Sequence, residues 1–204
     1  MQKGLMIILS APSGCGKGTI LEKVREQRTF FTSISATTRS PRPGEAEGVN
    51  YYYLSEEDFK RKIADGTMLE HAEFCGNMYG TPRDPVDAHI EKGEDVILEI
   101  EVKGAKQVKE KCPEAVLVFV LPPSIAELRA RLTNRGTEPP EVIERRVAKA
   151  AEEIPEAKNY DYVIVNDDLD TAVEEFIKVM DTEKLAAFRR HSLIDEVLSN
   201  KGDN

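Results

Sequence analysis

Continuous apolar stretches recur along the chain, and amphipathic segments separate them. Nearly every position is apolar in residues 5–10, 96–100, 115–121 and 162–165. This pattern is typical of parallel strands that helices cover on both faces, because neither face of such a strand meets water. Helical spacing of apolar residues fills the intervals, at residues 17–28, after Ser124, from about Pro140, and at residues 169–180. The alternation predicts an α/β fold with a mainly parallel sheet flanked by helices.

Residues 35–77 break this alternation. Their apolar and aromatic runs predict strands at residues 51–54 and 68–74. Between them, Ser55 precedes three acidic residues, which predicts a short capped helix that ends at Gly66. Gly76 and Asn77 predict a turn. We interpret this stretch as a small inserted subdomain of mixed strands, and the alternative of a decorated edge of the main sheet stays open.

Composition excludes several classes of protein. The chain has 204 residues, of which 40% are hydrophobic and 32% charged, so it is neither disordered nor fibrous. No apolar run approaches the roughly 20 residues that span a membrane, and the N-terminal run is too short for a secretory signal. Three cysteines, odd in number and far apart, indicate reduced thiols and a cytoplasmic location.

The charge of the chain is unevenly distributed. A net charge of −9 argues against general nucleic-acid binding, because nucleic acids require a basic surface. The first 50 residues, however, hold seven basic and four acidic side chains. A locally positive segment in an acidic protein suits a small anionic ligand. Most of these charges are explained as ordinary solvated side chains, with Lys17, Arg39 and Arg42 as the exceptions.

The sharpest motif is a Gly-rich segment that follows an apolar strand and precedes a helix. Its residues are Ala11, Pro12, Ser13, Gly14, Cys15, Gly16, Lys17, Gly18 and Thr19. Glycines let successive backbone N–H groups turn inward around an anion, and the helix adds its positive N-terminal end. Lys17 would place a point charge on the terminal phosphates. The segment therefore predicts a P-loop that binds a nucleoside triphosphate.

Three positions of this loop have their own consequences. Ala11 replaces the first glycine of the strict pattern, and Gly18 replaces the Ser or Thr whose hydroxyl usually reaches Mg²⁺. Since Thr19 is expected to face another side, the metal would be held through water, nucleotide phosphates or carboxylates. Cys15 stands beside a helix N-terminus, where a thiolate is favoured, so alkylation is expected to inactivate the protein. The alternative, a small loop residue that points away, stays open.

A second cationic segment lies at residues 35–45. Arg39 and Arg42 are separated and followed by Pro41 and Pro43, which stiffen the backbone. Two guanidinium groups on a rigid loop suit a second phosphate group, although a solvated loop would have the same composition.

The chain closely resembles the bacterial-type guanylate kinases, which are P-loop nucleoside monophosphate kinases, over residues 5–180. Besides the P-loop, the resemblance rests on TTRSPR at 37–42, GE at 44–45, GVNY at 48–51, GNMYGT at 76–81, LEIE at 98–101, RGT at 135–137 and IVNDD at 164–168. It implies a P-loop NTPase-type parallel sheet, a mixed α/β GMP-binding insert and a helical lid. The implied kinase domain is 1–182, with core 1–34 and 82–182, insert about 35–81 and lid about 129–158, followed by a helical extension at 183–204.

The resemblance implies ATP-dependent phosphorylation of GMP, and of dGMP, to GDP, with Mg²⁺ as the cofactor. The implied GMP-binding residues are Ser35, Arg39, Arg42, Tyr51, Glu70, Tyr79, Thr81 and Glu101. The implied ATP-binding residues are the nine P-loop residues with Arg131, Arg135 and Asn166, and the catalytic residues are Lys17, Arg39, Arg135 and Arg146. Glu70 suits this role because guanine presents two N–H donors to a carboxylate, whereas adenine lacks both.

Several alternatives remain at this stage. Many family members carry Asp where this chain has Glu101, and Glu99 and Glu101 share one face of a strand, so both are candidates for reaching Mg²⁺ through water. A buried salt bridge is the alternative for Glu99, and a helix cap is the alternative for Asn166 or Asp167. A kinase for another nucleoside monophosphate, or an inactive binding module, are the competing functions. No nucleic-acid or membrane partner is expected, and whether the chain forms a homo-oligomer stays open.

Overall fold

Seventeen helices and strands organise the chain in this computed structural model, which describes residues 3–134, 136 and 138–199. In chain order they are β1 (Met6–Ser10), α1 (Lys17–Arg25), β2 (Phe31–Thr32), β3 (Ala36–Thr37), β4 (Tyr52–Tyr53), α2 (Glu56–Ala64), β5 (Met68–Phe74), β6 (Asn77–Pro82), α3 (Arg83–Glu91), β7 (Val96–Glu99), α4 (Val102–Lys111), β8 (Val116–Leu121), α5 (Ile125–Asn134), α6 (Pro140–Glu153), β9 (Tyr162–Val165), α7 (Leu169–Glu183) and α8 (His191–Ser199). Short 3₁₀ turns follow α6 at Ile154–Asn159 and precede α8 at Ala187–Arg190.

The central sheet is parallel, as the continuous apolar runs predict. Its strand order is β2-β7-β1-β8-β9, with β1 in the middle. Alternate side chains of β1 enter different cores: Ile7 and Leu9 pack with α1 and α7, whereas Met6 and Ile8 pack with α4. Because both faces are covered, no polar alternation is needed along these strands.

A second sheet lies between residues 36 and 82, with strand order β4-β3-β6-β5. Strands β5 and β6 form a hairpin, in which Phe74 pairs with Asn77. The two turn residues are Cys75 and Gly76, both with positive φ, at 50° and 74°. The sequence placed this turn one residue later, at Gly76 and Asn77. A two-residue hairpin turn requires positive φ at both of its central positions, and Asn77 is already the first residue of β6.

Most predicted element ends fall close to the observed ones. Ser55 Oγ accepts a hydrogen bond from the Asp58 N–H at 3.0 Å, and Ser124 Oγ accepts one from the Glu127 N–H at 3.0 Å, so both helix caps are confirmed. The helix after Lys17 ends at Arg25 rather than at residue 28. The strand predicted at 51–54 shortens to Tyr52–Tyr53.

Helix α4 joins the two sheets. It follows β7 of the central sheet and packs against β5, the edge strand of the second sheet. The Gln107 side-chain amide makes two hydrogen bonds to the backbone of His71. Gln107 Oε1 accepts from the His71 N–H at 3.1 Å, and Gln107 Nε2 donates to the His71 carbonyl at 2.9 Å. Lys111 Nζ donates to the Met68 carbonyl at 2.8 Å. The side chains of α4 thus occupy backbone groups that a further strand would otherwise pair.

The C-terminal segment exposes apolar side chains. Helix α8 contains no buried residue, and the exposed apolar side chains here are Leu185, Phe188, Leu193, Ile194, Val197 and Leu198. Among the described residues, no helix combines the length and the apolar character that crossing a membrane demands.

Candidate functional site

The Gly-rich loop wraps around the start of α1. Gly14 and Gly16 have φ of 100° and 82°, a region that residues with a side chain rarely adopt. A Cβ atom on Gly14 would also lie 2.8 Å from Leu132, and one on Gly16 would lie 2.4 Å from Asn166 Nδ2. Since Gly16 directly precedes α1, the unpaired N–H groups of the first helical turn lie beside the loop. Both glycines are therefore needed to shape an anion-binding loop.

The side chain of Asn166 is hydrogen-bonded to the backbone of this loop. Its side chain is buried, and Nδ2 donates to the Cys15 carbonyl at 2.8 Å. Arg131 Nη1 in turn donates to the Asn166 carbonyl at 2.9 Å. The sequence placed Asn166 near the adenine or at a helix cap, but the cap of α7 is Asp168, whose Oδ1 accepts from the Thr171 N–H at 2.8 Å. Asn166 and Arg131 are brought to the loop as supports of its backbone.

A cavity of about 460 Å³ opens above the loop. Its lining residues include all nine residues of the loop, from Ala11 to Thr19, together with Glu22, Glu101, Val102, Arg146, Lys149 and Glu153. The Gly-rich loop and helix α6 thus line one cavity, whose size suits a polyphosphate.

Lys17 is the first residue of α1 and carries the charge at the centre of this cavity. Burial lowers the pKa of Lys17, while the carboxylates of Glu99, Glu101 and Glu153 act in the opposite direction. An ammonium group that has lost part of its hydration gains more from an incoming phosphate than a solvated one does. This side chain is therefore prepared for an anionic ligand.

Helix α6 supplies two further cations. The Arg146 guanidinium contacts both Glu138 and the hydroxyl of Ser13 in the loop. One turn later, Lys149 Nζ lies 3.4 Å from Glu101 Oε2 and 3.3 Å from Glu153 Oε1. Arg135, the other lid arginine named by the sequence, lies outside the described residues.

A second cationic cluster lies in the loop before β4. Glu45 accepts two hydrogen bonds from Arg39 Nη2, at 2.9 and 3.0 Å. The same carboxylate accepts from the Arg42 N–H and from the Tyr53 hydroxyl, both at 2.8 Å. The Arg39 hydrogen bond is the main cause that lowers the pKa of Glu45 to about 2. Glu45 therefore orders the loop and fixes one guanidinium in place.

Aromatic side chains complete this cluster. The Arg39 guanidinium lies 5.5 Å from the ring centre of Tyr51, and Tyr51 meets Tyr79 edge to face at 6.0 Å. The Arg42 side chain is exposed, so its guanidinium is available to a ligand. The structure thus brings together Arg39, Tyr51 and Tyr79, and the Arg42 backbone bonds to the same Glu45 carboxylate. Their assignment to a phosphate site stays a prediction.

A third cluster contains the buried acid Glu70. Only 7% of Glu70 is exposed, and its Oε1 accepts a hydrogen bond from Thr81 Oγ1 at 2.8 Å. Burial raises the pKa of Glu70, and the Thr81 hydrogen bond opposes that rise. Ser35 precedes Ala36, which pairs with Gly80, so Ser35 is next in register opposite Thr81. A donor-rich ligand edge would satisfy the carboxylate at this site.

Glu99 is the last residue of β7, whereas Glu101 lies beyond the strand and is the N-cap residue of α4, so the prediction that both share one face of a strand is wrong. Glu99 is exposed, so the alternative of a buried salt bridge is wrong. The Glu101 side chain is 78% exposed and lines the phosphate cavity, where it pairs with Lys149, although its charge still acts on Glu70. Among the described residues, no group of three acidic, histidine or cysteine side chains is arranged to hold a metal ion.

Some residues of the site escaped the sequence analysis. Lys149 and Glu153 line the cavity, and the spacing of Lys149 from Arg146 on one helix face was the signal available. Glu45 stood in a quoted motif without an assigned role, and only the folded loop shows that it binds Arg39.

Cys15 differs most from its prediction. Its side chain is 1% exposed and packs in the main core with Ile20 and Leu128. Burial raises the pKa of the Cys15 thiol to about 12, more strongly than Arg131 and Lys17 lower it. The expected thiolate is therefore wrong, and the loop presents backbone atoms of Cys15, not a reactive sulfur, to the cavity.

Comparisons with known proteins agree on one family. The family model described as guanylate kinase matches residues 3–183. The guanylate kinase of Clostridioides difficile is 48% identical over 96% of this chain and 96% of its own length. That of Latilactobacillus sakei is 49% identical over 90% of this chain and 91% of its own length. A crystal structure of guanylate kinase from Anaplasma phagocytophilum has a TM-score of 0.76 and 32% identity, covering 100% of this chain and 98% of its own.

The burial of Cys15 predicts a clear order of thiol reactivity. In the native protein near neutral pH, iodoacetamide should label the exposed Cys75 and leave Cys15 unmodified, because a thiol with a pKa of about 12 is protonated there. Cys15 should react only after unfolding in denaturant. Mass spectrometry of peptides measures both sites in one sample. Native labelling of Cys15 at a rate similar to that of Cys75 would contradict the burial argument.

Proposed function

The chain belongs to the guanylate kinase family, and we propose that it transfers the terminal phosphoryl group of ATP to GMP, forming ADP and GDP. The observation that carries this proposal is the buried Glu70–Thr81 pair, because Thr81 lies on the same strand, β6, as Tyr79 of the Arg39–Tyr51–Tyr79 cluster. A base and its phosphate would thus be recognised by one small sheet. The phosphate-binding loop of the central sheet would hold the donor nucleotide.

Guanine recognition follows from the chemistry of Glu70. The carboxylate would accept from guanine N1–H and from the 2-amino group, while the hydroxyls of Ser35 and Thr81 face the remaining polar edge. Adenine would leave the buried carboxylate without a hydrogen-bond donor, and this would make the free energy of binding less favourable. We therefore favour GMP, and dGMP with the same base, over other nucleoside monophosphates.

Phosphoryl transfer requires aligned phosphates, compensated charge and little water. Arg39, already held by Glu45, would fix the GMP phosphate together with Arg42 and the hydroxyls of Tyr51 and Tyr79. Lys17 and the loop N–H groups would bind the ATP phosphates, and Arg146 would stabilise charge on the transferred group from the lid side. Arg135 is proposed for the same role on the basis of the family motif alone.

Mg²⁺ is the cofactor that a kinase using ATP generally requires, and the residues around the cavity fit it. Glu22, Glu101 and Glu153 supply oxygen donors beside Lys17, and the position of Gly18 is open, with no atom within 4 Å of a Cβ built there. We propose that nucleotide phosphates and water hold the ion, with Glu101 or Glu99 contacting the water. When bound, the ion would neutralise part of the phosphate charge.

The competing functions fit the site less well. An inactive binding module would not need glycines with positive φ at positions 14 and 16 or a partly dehydrated Lys17. We further propose that the protein acts in the cytoplasm, where its substrates are abundant and the free thiols of Cys15, Cys75 and Cys112 are stable.

The role of the residues after 182, and any self-association through them, stays a prediction to be tested by sedimentation.

A coupled assay of ADP release tests the proposed activity. Purified protein with Mg-ATP should turn over with GMP and dGMP, and much more slowly with AMP, CMP or UMP. Lys17→Met should reduce turnover by about 100-fold or more, because it removes charge from the transferred phosphate. EDTA should abolish activity reversibly. Equal turnover of AMP and GMP, or full activity of the Lys17 variant, would contradict the proposed function.

Glu70→Gln isolates the choice of base. The substitution keeps the side-chain size but replaces one acceptor oxygen with a donor NH₂, so one pairing with guanine becomes donor against donor. The loss of a charge-assisted hydrogen bond predicts a fall of about 10- to 150-fold in kcat/KM for GMP. The value for AMP should not fall in parallel. If both substrates lose the same factor, Glu70 supports the fold rather than the base site.

Glu45→Gln tests whether Arg39 is held in advance for phosphate. We expect KM for GMP to rise by about 5- to 10-fold with little change in KM for ATP, because the guanidinium loses its charged partner. Glu56→Gln is a matched control, since Glu56 forms an exposed pair with Lys60 on α2. Equal effects of the two variants on GMP would argue against a positioning role for Glu45.

The pKa of Glu45 adds a pH dependence to the same pair. Since folding lowers this pKa from the ordinary 4.5 to about 2, the stability from the pair is complete above pH 4.5 and is lost as the pH falls toward 2. Acid unfolding of Glu45→Gln should accordingly lack this component.

A further inference from the structure

Gly104 lies in α4 directly behind the Glu70 carboxylate. It is buried, and a Cβ atom at this position would lie 2.9 Å from Oε2 of Glu70 and 3.2 Å from its carboxyl carbon. A Cβ contact of 2.9 Å is closer than native packing allows, so one of the two groups would have to move. The carboxylate of Glu70 therefore occupies space that exists because residue 104 has no side chain.

The helix itself gives no reason for glycine at this position. Gly104 is not among the residues with positive φ, so its backbone conformation is open to any residue. Glycine inside a helix is also less stable than alanine, because it loses more backbone freedom on folding. What distinguishes the site is its neighbour, Glu70, and not the conformation of α4.

The strand that carries Glu70 is fixed on both sides of it. One residue later, the His71 N–H and carbonyl both bond to the Gln107 amide, and two residues earlier the Met68 carbonyl accepts from Lys111 Nζ. Gln107 and Lys111 belong to the same helix as Gly104. Strand β5 cannot retreat from α4 without losing these bonds. A side chain at 104 would consequently displace the end of Glu70 rather than the strand.

We infer that Gly104 is a positioning residue for guanine recognition, which rests on the proposed function: its missing side chain lets the Glu70 carboxylate take the orientation that accepts from the base. Thr81 holds Oε1 at 2.8 Å, and Gly104 leaves room for Oε2. Thr81 and Gly104 together determine the positions of both carboxylate oxygens of Glu70. A larger residue at 104 would displace the Glu70 carboxylate and break its alignment with two donors on one guanine edge.

Gly104→Ala tests this inference because the substitution should weaken GMP recognition without lowering the free energy of unfolding. The moved group is the end of one side chain, and alanine favours the helix, so the thermal midpoint should stay the same or rise. We expect kcat/KM for GMP to fall by about 10-fold or more, KM for ATP to stay constant, and the ratio of GMP to AMP efficiency to decrease. Lys103→Ala, the exposed neighbour on α4, serves as the control and should change none of these values.

A double-mutant cycle with Glu70→Ala separates this role from general packing. In the Glu70→Ala background the carboxylate is gone, so adding Gly104→Ala should cost GMP efficiency little or nothing further. Additive losses, or a Gly104→Ala enzyme with unchanged preference for GMP, would overturn the inference. The wild-type assay is read separately: a wild-type protein without GMP turnover would refute the proposed function itself, whereas an active wild type with an additive cycle would refute only the role of Gly104.

Discussion

Like charges must be brought together in this site, and the rest of the structure depends on that constraint. Two nucleotides carry phosphate groups that repel each other, and phosphoryl transfer requires these groups to meet in line. Fixed positive groups have to be in place before the substrates arrive, because rearranging them during the reaction would cost free energy. In the proposed reaction, this requirement is met from different elements, by the loop N–H groups at the start of α1, Lys17, Arg146 and the Arg39 cluster.

Cationic side chains of the candidate site are paired with carboxylates. Arg39 is held by Glu45, Arg146 contacts Glu138, and Lys149 lies between Glu101 and Glu153. Such partners orient a long side chain and limit the entropy that binding would otherwise cost. Each carboxylate thus orders its cationic partner in the free protein. It also competes with the phosphate for that cation.

The features that the sequence predicted well are those that neighbouring residues decide. Continuous apolar runs predicted the parallel strands, and hydroxyl residues before acidic ones predicted the caps at Ser55 and Ser124. Local sequence patterns do not predict contacts between residues that are far apart in the chain. Cys15 is buried in a core that also contains Leu128 of α5, and the bond from Asn166 to Cys15 joins residues 151 positions apart. The general motif of an anion loop is visible in the sequence, while the direction of each of its side chains depends on the packing beneath it.

Helix α4 shows how the two halves of the site can act as one. Glu101 precedes the helix and lines the phosphate cavity, Gly104 leaves room for Glu70, and Gln107 and Lys111 hold β5. Positions spaced by three or four residues share one face of a helix, so a single face contacts the donor site at one end and the acceptor site along its length. Because β5 is bonded to this face rather than merely packed on it, a shift of α4 relative to the central sheet would carry Glu70 along. The position of Glu70 is therefore tied, through one short helix, to the position of Glu101 at the phosphate cavity.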